Sequence, residues 1–173
     1  MPSSDGHDLA TILLLPPTFA GVWMLTDSAV TASIVTAMTL FGGMMFGPDL
    51  DTHSRQYTRW GVFRFLWFPY KVVFAHRSRW SHGIVFSTPI RVLYFTGVIA
   101  LFVTLAVYFR AALITGDFTP SLAELTHGWQ AINAGIAANI GQHFVWAALA
   151  GLWWGATIHT LVDVGWSILR KAI

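Results

Sequence analysis

Four long apolar stretches, separated by polar connections, dominate the pattern of this chain. They cover residues 9–25, 29–46, 84–109 and 140–169. An α-helix needs roughly 20 apolar residues to cross the hydrocarbon core of a bilayer. The pattern therefore predicts an all-α protein, an integral membrane bundle of about four transmembrane helices in a single domain over residues 1–173. Pro16 and Pro17 should kink or break the first helix, which leaves its full crossing open.

The connections between the stretches differ in length and in charge. Thr26-Asp27-Ser28 predicts a tight turn, so the first two helices should form an antiparallel hairpin. Segment 47–83 contains six of the ten Lys and Arg residues and mixes them with aromatic residues. Such a basic, aromatic segment is typical of a helix or loop that lies in the headgroup layer. Segment 115–139 contains acidic residues but no Lys or Arg, and its part 120–133 predicts a short interfacial helix.

Composition supports the membrane assignment. Charged residues make up 10% of the chain and hydrophobic residues 55%, whereas typical soluble domains are about 25% charged. A soluble protein of 173 residues would need more charge to cover its surface. The nine Trp and 13 Phe residues suit a membrane interface. The residues before the first stretch include no Lys or Arg, so we expect a retained helix rather than a signal peptide.

The distribution of Lys and Arg predicts how the bundle is oriented. With four crossings, segment 47–83 and both termini share one side, where eight of the ten basic residues fall. Because cytoplasmic loops are enriched in Lys and Arg, we expect that side to be cytoplasmic, in a plasma or thylakoid membrane. The expected partners are the lipid bilayer, an anionic lipid or lipid-phosphate substrate, and a further membrane protein. Nucleic acid is not expected, because lipid headgroups are the nearer polyanion.

Histidines and aspartates gather on this predicted cytoplasmic side. They lie before the first helix, after the second, before the third and near the end of the fourth. The set is His7, Asp49, Asp51, His76, His82, His159 and Asp163. His159 and Asp163 are four residues apart, which places both on one stripe of a helix. Ionisable groups near a membrane are costly unless they have partners, so the convergence predicts a metal site.

The types of donor limit the metal. The chain has no Cys, so the ligands are imidazole nitrogens and carboxylate oxygens. These suit a divalent ion, zinc first, with manganese, iron or magnesium as alternatives. Seven candidates exceed the needs of one tetrahedral ion, so one or two ions are expected.

Simpler interpretations exist for parts of the set. Gly-Pro-Asp-Leu-Asp is also a turn and cap sequence, and His159 with Asp163 could be a hydrogen-bonded pair. The remaining histidines are ranked lower. His53 is close to the aspartates and could either contribute to the site or be solvated, His127 lies in segment 115–139, and His143 is expected to be interfacial.

Three motifs carry a resemblance to a known family. They are Phe46-Gly-Pro-Asp-Leu-Asp, Ser54-Arg-Gln-Tyr-Thr-Arg-Trp-Gly and His76-Arg-Ser-Arg-Trp-Ser-His-Gly. With a His near the start and a late His-x-x-x-Asp, the chain resembles, over nearly its whole length, small cyanobacterial membrane proteins described only as metal-binding proteins. It is similar, more distantly, to bacterial membrane-bound metal-dependent hydrolases, which carry Pro-Asp-x-Asp, His-Arg…Thr-His-Ser and a late His…Asp. Here Ser81-His82-Gly83 replaces Thr-His-Ser, with longer spacing back to His76.

Two functions follow from these patterns. The first is a metal-dependent hydrolase that acts on a phosphate ester or lipid substrate at the cytoplasmic face, with Asp49 and Asp51 as catalytic base or ligand. Guanidinium groups bind phosphate bidentately, so the substrate would contact Arg77, Arg79 and Arg91. The alternative is a non-catalytic protein in which metal staples the helix ends of a membrane scaffold or partner-binding subunit. A di-iron redox enzyme ranks last, because the chain lacks dense, short-spaced His boxes.

Overall fold

A computed structural model describes residues 3–74, 86–116, 122–141 and 143–172. Over these ranges the chain forms seven α-helices, two 3₁₀ helices and no strand, which confirms the predicted all-α class. The helices are α1 (Ser4–Thr26), α2 (Ala29–Met45), η1 (Pro48–Asp51), α3 (Arg55–Thr58), η2 (Gly61–Trp67), α4 (Phe68–Val73), α5 (Ser87–Thr115), α6 (Leu122–Asn139) and α7 (Phe144–Ala172). Four of the predicted site residues, His76, Arg77, Arg79 and His82, lie outside the described residues.

Three of these helices are long and apolar enough to cross a membrane, judged by length and composition. They correspond to Ser4–Thr26, Ser87–Ile114 and Phe144–Lys171. The remaining predicted crossing, α2, is apolar but has only 17 residues. At 1.5 Å per residue it is about 26 Å long, slightly less than the roughly 30 Å of a hydrocarbon core. By length, α2 is therefore the weakest of the four predicted crossings, whereas the sequence pointed to the first helix.

The first helix differs from its prediction at both its start and its middle. It begins at Ser4 rather than near residue 9, because the Ser3 hydroxyl caps it by accepting a hydrogen bond from Gly6 N–H at 3.2 Å. It also continues through Pro16 and Pro17, so the helix does not break there, and the predicted kink stays a prediction. Proline has a φ compatible with a helix, and each of the two prolines costs one backbone hydrogen bond, which the turns on either side can sustain. His7 consequently lies within α1 and not before it.

The predicted hairpin of the first two helices is confirmed. The helix α1 ends at Thr26, Asp27 adopts a left-handed conformation with φ 49°, and α2 begins at Ala29. The Ser28 hydroxyl caps α2 by accepting a hydrogen bond from Thr31 N–H at 3.2 Å. The start of α1 and the end of α2 therefore lie at the same end of the hairpin.

The helices α2 and α7 touch backbone to backbone through glycine. A Cβ atom at Gly155 would overlap the α2 backbone at Thr39 and Gly43, and one at Gly151 would overlap the α2 backbone at Val35. A glycine at each end of a four-residue step lets two helices approach closely, as in membrane helix pairs. This contact fixes where α7 lies along α2, and so where the side chains near the end of α7 meet the segment after α2.

The predicted interfacial segment forms four short helices, η1 to α4, over its described part. Its aromatic residues have two different environments. Trp67 and Tyr70 are fully buried and meet nearly edge to face, with ring centroids 5.7 Å apart, whereas Phe63, Phe65 and Phe68 are exposed. Of these rings, only the exposed ones are therefore available to contact the predicted headgroup layer. The buried rings hold the segment against the end of α2.

The chain divides into two compact units, and the second unit is Leu93–Phe144. It contains most of α5 and all of α6, which extends to Asn139 and is longer than the predicted interfacial helix. Within it, Gly128 fits against Val107, and Trp129 Nε1 donates a hydrogen bond to Thr104 Oγ1 at 3.3 Å. The described candidate ligands all belong to the first unit, Met1–Val92 with Val145–Ile173. The single membrane domain stays a prediction.

Candidate metal centre

Four of the predicted ligands lie close together in the structure. They are His7 from α1, Asp49 from η1, and His159 and Asp163 from α7. His7 Nε2 lies 3.3 Å from Asp163 Oδ1. His159 Nε2 lies 3.5 Å from Asp49 Oδ2 and 3.7 Å from Asp163 Oδ2. The prediction that His159 and Asp163 share a helical stripe is confirmed. Both histidines are buried, and His159 is only 3% exposed.

The two imidazole rings stack on each other. Their centroids are 3.8 Å apart and their planes differ by 12°. Both rings direct Nε2 toward the Asp163 carboxylate. Each imidazole thus meets a different oxygen of the same carboxylate.

The segment that follows α2 holds the backbone of Asp49 from both sides. Its carbonyl oxygen accepts hydrogen bonds from Ser54 Oγ at 2.7 Å and Thr52 Oγ1 at 3.1 Å. Its N–H donates to Gln56 Oε1 at 3.2 Å. Pro48 opens the 3₁₀ turn, a position where its missing N–H costs nothing. The local sequence therefore fixes Asp49 before any long-range contact is considered.

Gln56 connects this turn to the imidazole of His159. Its Nε2 donates to Gly43 O at 2.9 Å and lies 3.1 Å from His159 Nδ1. A Cβ atom at Gly47 would lie 2.6 Å from Gln56 Oε1, so glycine is needed there to admit the amide. Gln56 was not among the predicted site residues, although it lies within the Ser54-Arg-Gln motif.

The backbone partners of Gln56 fix the orientation of its amide and hence the tautomer of His159. Asp49 N–H can only donate and Gly43 O can only accept, so Gln56 must present Nε2 to His159 Nδ1. Nδ1 then accepts, and a neutral His159 ring carries its proton on Nε2. With a metal ion bound at Nε2, the neutral ring would carry its proton on Nδ1 instead. Nδ1 would then become a donor and would need an acceptor, as is usual for metal-ligating histidines.

Two arginines border the ligands. Arg59 forms a two-pronged ion pair with Asp8, in which Nη1 donates to Oδ1 at 2.9 Å and Nη2 pairs with Oδ2. Arg59 Nη1 also donates to Met44 O at 2.9 Å. Arg55 pairs with Asp5 at the surface, and the hydrogen bond to Asp5 raises the pKa of Arg55 above its usual range. These pairs tie α3 to the first turns of α1, next to His7.

The residues present fit a first-row divalent metal. Neighbouring donor atoms in a tetrahedral site with bonds of 2.0–2.1 Å lie about 3.4 Å apart, close to the 3.3–3.7 Å between the imidazole and carboxylate atoms here. Among the described residues, His159 Nε2 is a buried nitrogen without a hydrogen-bond partner. A cavity of about 70 Å³ borders it, with space for an ion and water. Imidazole with carboxylate is a donor set for zinc, manganese or iron.

A comparison with protein families agrees with this geometry. A family model described as "Uncharacterized metal-binding protein (DUF2227)" matches residues 2–172. The chain belongs to this family. The expected resemblance to metal-binding proteins is confirmed, whereas the cyanobacterial and hydrolase parts of that resemblance stay predictions. No curated protein and no solved structure matches the chain.

Within this DUF2227 member, a candidate site for the metal ion comprises His7, His159 and Asp163. Each offers one ligand atom, and these atoms lie within 4.8 Å of one another. Asp49 lines the same cavity. The ion's identity, with zinc as first choice, stays a prediction.

Asp51 and Arg91 lie away from the cavity. Neither is among the described residues that line it. Arg91 is 1% exposed and donates a hydrogen bond to Thr88 Oγ1 at 3.2 Å. It also interacts with the Tyr70 hydroxyl and, through charge, with Asp51 and Asp49. Burial raises the pKa of Tyr70, and the neighbouring Arg91 opposes this rise. The predicted contact of Arg91 with substrate stays a prediction.

The histidines that were ranked lower lie on the surface. His53 is exposed and meets the Tyr57 ring edge to face at 5.4 Å. His127 and His143 are also exposed. Their exposure agrees with this lower rank.

Proposed function

We propose that this chain is a membrane-embedded, metal-dependent hydrolase that acts on a phosphate ester or lipid-linked phosphate at the cytoplasmic face. The observation that carries the proposal is the convergence of two buried imidazoles and two carboxylates on one cavity that Arg55 also lines. This combination offers sites for a cation and, beside them, a guanidinium that can bind phosphate.

The membrane part of the proposal rests on exposed apolar side chains along the long helices. Leu13 and Leu25 of α1, Leu93 and Leu113 of α5, and Trp146 of α7 are all exposed. Large apolar side chains exposed along helices of this length are unfavourable in water but suit lipid. The start of α1, the end of α2 and the later part of α7 supply the candidate ligands. With four crossings, these parts fall on the Arg-rich side, and both termini are cytoplasmic.

Different residues of the chain would have different roles in phosphate-ester hydrolysis. A bound divalent ion supplies Lewis-acid polarisation of a phosphoryl oxygen. Asp49 has the more accessible carboxylate and acts as general base, whereas Asp51 is 7% exposed and takes a structural role. The Arg55–Asp5 pair is solvent-exposed and therefore weak. Arg55 can accordingly exchange its carboxylate partner for a substrate phosphate.

The experiment is phosphate release from phosphatidic acid in mixed micelles by the purified full chain loaded with Zn²⁺. We expect turnover that a chelator abolishes and that Zn²⁺ restores. Asp49→Asn should lower kcat at least tenfold, and Arg55→Ala should raise KM with a smaller effect on kcat. Arg170→Ala, at an exposed arginine near the end of α7, is the matched control. Bound metal without chelator-sensitive release of phosphate from this substrate would contradict the hydrolase proposal.

The alternative function is a metal-stapled scaffold or partner-binding subunit. The observation that favours it is that the ligands come from three separate elements, α1, η1 and α7, which one centre would hold together. In that case chelation should lower the thermal unfolding temperature in detergent and release a membrane partner, while no substrate turns over. An unfolding temperature that does not respond to chelation would remove this alternative.

A further inference from the structure

The stacking of His7 on His159 restricts how these rings can bind metal. The lone pair of an imidazole nitrogen lies in the plane of its ring, so a ligated ion lies near that plane at about 2.0–2.1 Å. The two ring planes differ by 12° and their centres are 3.8 Å apart. Planes in this arrangement converge only roughly 15 Å or more from the rings. No single ion can therefore lie in both planes at bonding distance.

The two nitrogens nevertheless point the same way. His7 Nε2 faces Asp163 Oδ1 at 3.3 Å, and His159 Nε2 faces Asp163 Oδ2 at 3.7 Å. Each imidazole has its own oxygen of one carboxylate. This is the arrangement of a carboxylate that bridges two cations, with one oxygen for each.

The distance between the rings agrees with such a pair. Two ions, each bound to one of two parallel imidazoles, are separated by about the ring spacing, which is 3.8 Å here. Paired metal sites that act on phosphate esters hold their ions about 3.5–4 Å apart. The spacing is therefore suitable for a pair of cations that shares one phosphoryl group.

We propose that His7 and His159 bind two different divalent cations, which Asp163 bridges. Asp49, whose Oδ2 is 3.5 Å from His159 Nε2, would lie beside the cation of His159 as the proposed general base. This inference rests on the proposed metal-dependent function and makes it more specific. The substrate class it implies is a phosphate ester whose phosphoryl oxygens contact both cations.

The test is a titration of the full chain in detergent with Mn²⁺, after chelation and removal of the chelator. Elemental analysis gives the ions bound per chain, and electron paramagnetic resonance detects magnetic coupling between them. We expect two ions per chain with an exchange-coupled signal. His7→Ala and His159→Ala should each keep one ion with an uncoupled signal. Asp163→Asn should lose the coupling.

The matched control is His143→Ala, which changes an exposed histidine of the second unit and should keep two coupled ions. One ion per wild-type chain, or two ions without coupling, would overturn the pairing and leave metal binding intact. Loss of all metal in His7→Ala, with the helical circular dichroism preserved, would also overturn the pairing. Absence of any bound ion would overturn both the pairing and the proposed function. The number of ions bound by the wild-type chain and their magnetic coupling test the pairing even if a variant fails to fold.

Discussion

Gln56→Ala is the most informative single substitution in this chain. Gln56 is 5% exposed, and its amide makes three contacts: a partly buried one with Asp49 N–H, and buried ones with Gly43 O and with His159 Nδ1. Each hydrogen bond contributes about 1 kcal/mol, and its buried partner is left without compensation when the amide is removed. We therefore expect Gln56→Ala to lower the free energy of unfolding by about 3 kcal/mol.

The same substitution should not weaken metal binding, because Gln56 presents a donor to His159 Nδ1, whereas a metal-ligating imidazole needs an acceptor at that position. We expect the affinity of Gln56→Ala for Zn²⁺ to equal or exceed that of the wild type. Unfolding by SDS titration gives the stability, and competition with a chelator gives the affinity for Zn²⁺. The matched control is Gln130→Ala, because Gln130 is exposed on α6. If both variants were alike in stability, or if Gln56→Ala bound Zn²⁺ more weakly than the wild type, the assigned role of Gln56 would be wrong.

A second change at the same position separates stability from metal binding. In Gln56→Glu, the carboxylate can accept a hydrogen bond from His159 Nδ1–H, which raises the basicity of a ligating imidazole. It cannot donate to Gly43 O, which Gln56 does at 2.9 Å. We therefore expect Zn²⁺ affinity to rise about tenfold, while stability after chelation falls. Equal affinity in Gln56→Glu and Gln56→Ala would contradict this account of the tautomer.

Three further predictions concern packing, charge and metal removal. A methyl group at Gly155 would overlap the α2 backbone, so Gly155→Ala should lower the free energy of unfolding by about 2–3 kcal/mol. Gly165→Ala is the control and should be nearly neutral, because there is open space around Gly165. Similar SDS-unfolding midpoints for the two variants would contradict the close contact between α2 and α7. Arg59→Ala leaves the partly buried Asp8 without its two-pronged partner and should lower the free energy of unfolding by about 2 kcal/mol. Arg55→Ala removes an exposed pair and should lower the unfolding temperature very little. Chelation should lower that temperature less in His159→Ala than in the wild type, because the variant is expected to keep one of the two proposed ions, and equal shifts would mean that His159 binds no metal.

Local patterns predicted the helices and one pair of neighbouring ligands. Apolar runs of helical length marked the long helices, and the four-residue step from His159 to Asp163 marked a shared stripe that the structure confirms. Tight turns are also local, so Thr26-Asp27-Ser28 was sufficient to predict the hairpin. These features depend on residues close together in the chain.

Long-range pairings were beyond the reach of sequence patterns. The contact of Gln56 with His159 joins residues 103 positions apart, and an uncharged amide gives no pattern that distinguishes a ligand-positioning role. The burial of Arg91 beside Tyr70 was likewise not predictable, because it depends on how segments distant in the chain pack together. The start of α1 was missed because hydropathy marks apolar residues and takes no account of the cap at Ser3.

The two-residue link between α1 and α2 also bears on how such a chain would be made. A hairpin with so short a connection would enter a bilayer as one unit during synthesis, because neither arm can turn over without the other. His7 at the start of one arm and Asp49 just beyond the end of the other would then reach the same compartment whichever way the hairpin inserted. An error of insertion would move this half of the ligand set to the wrong side of the membrane together, and would not split it.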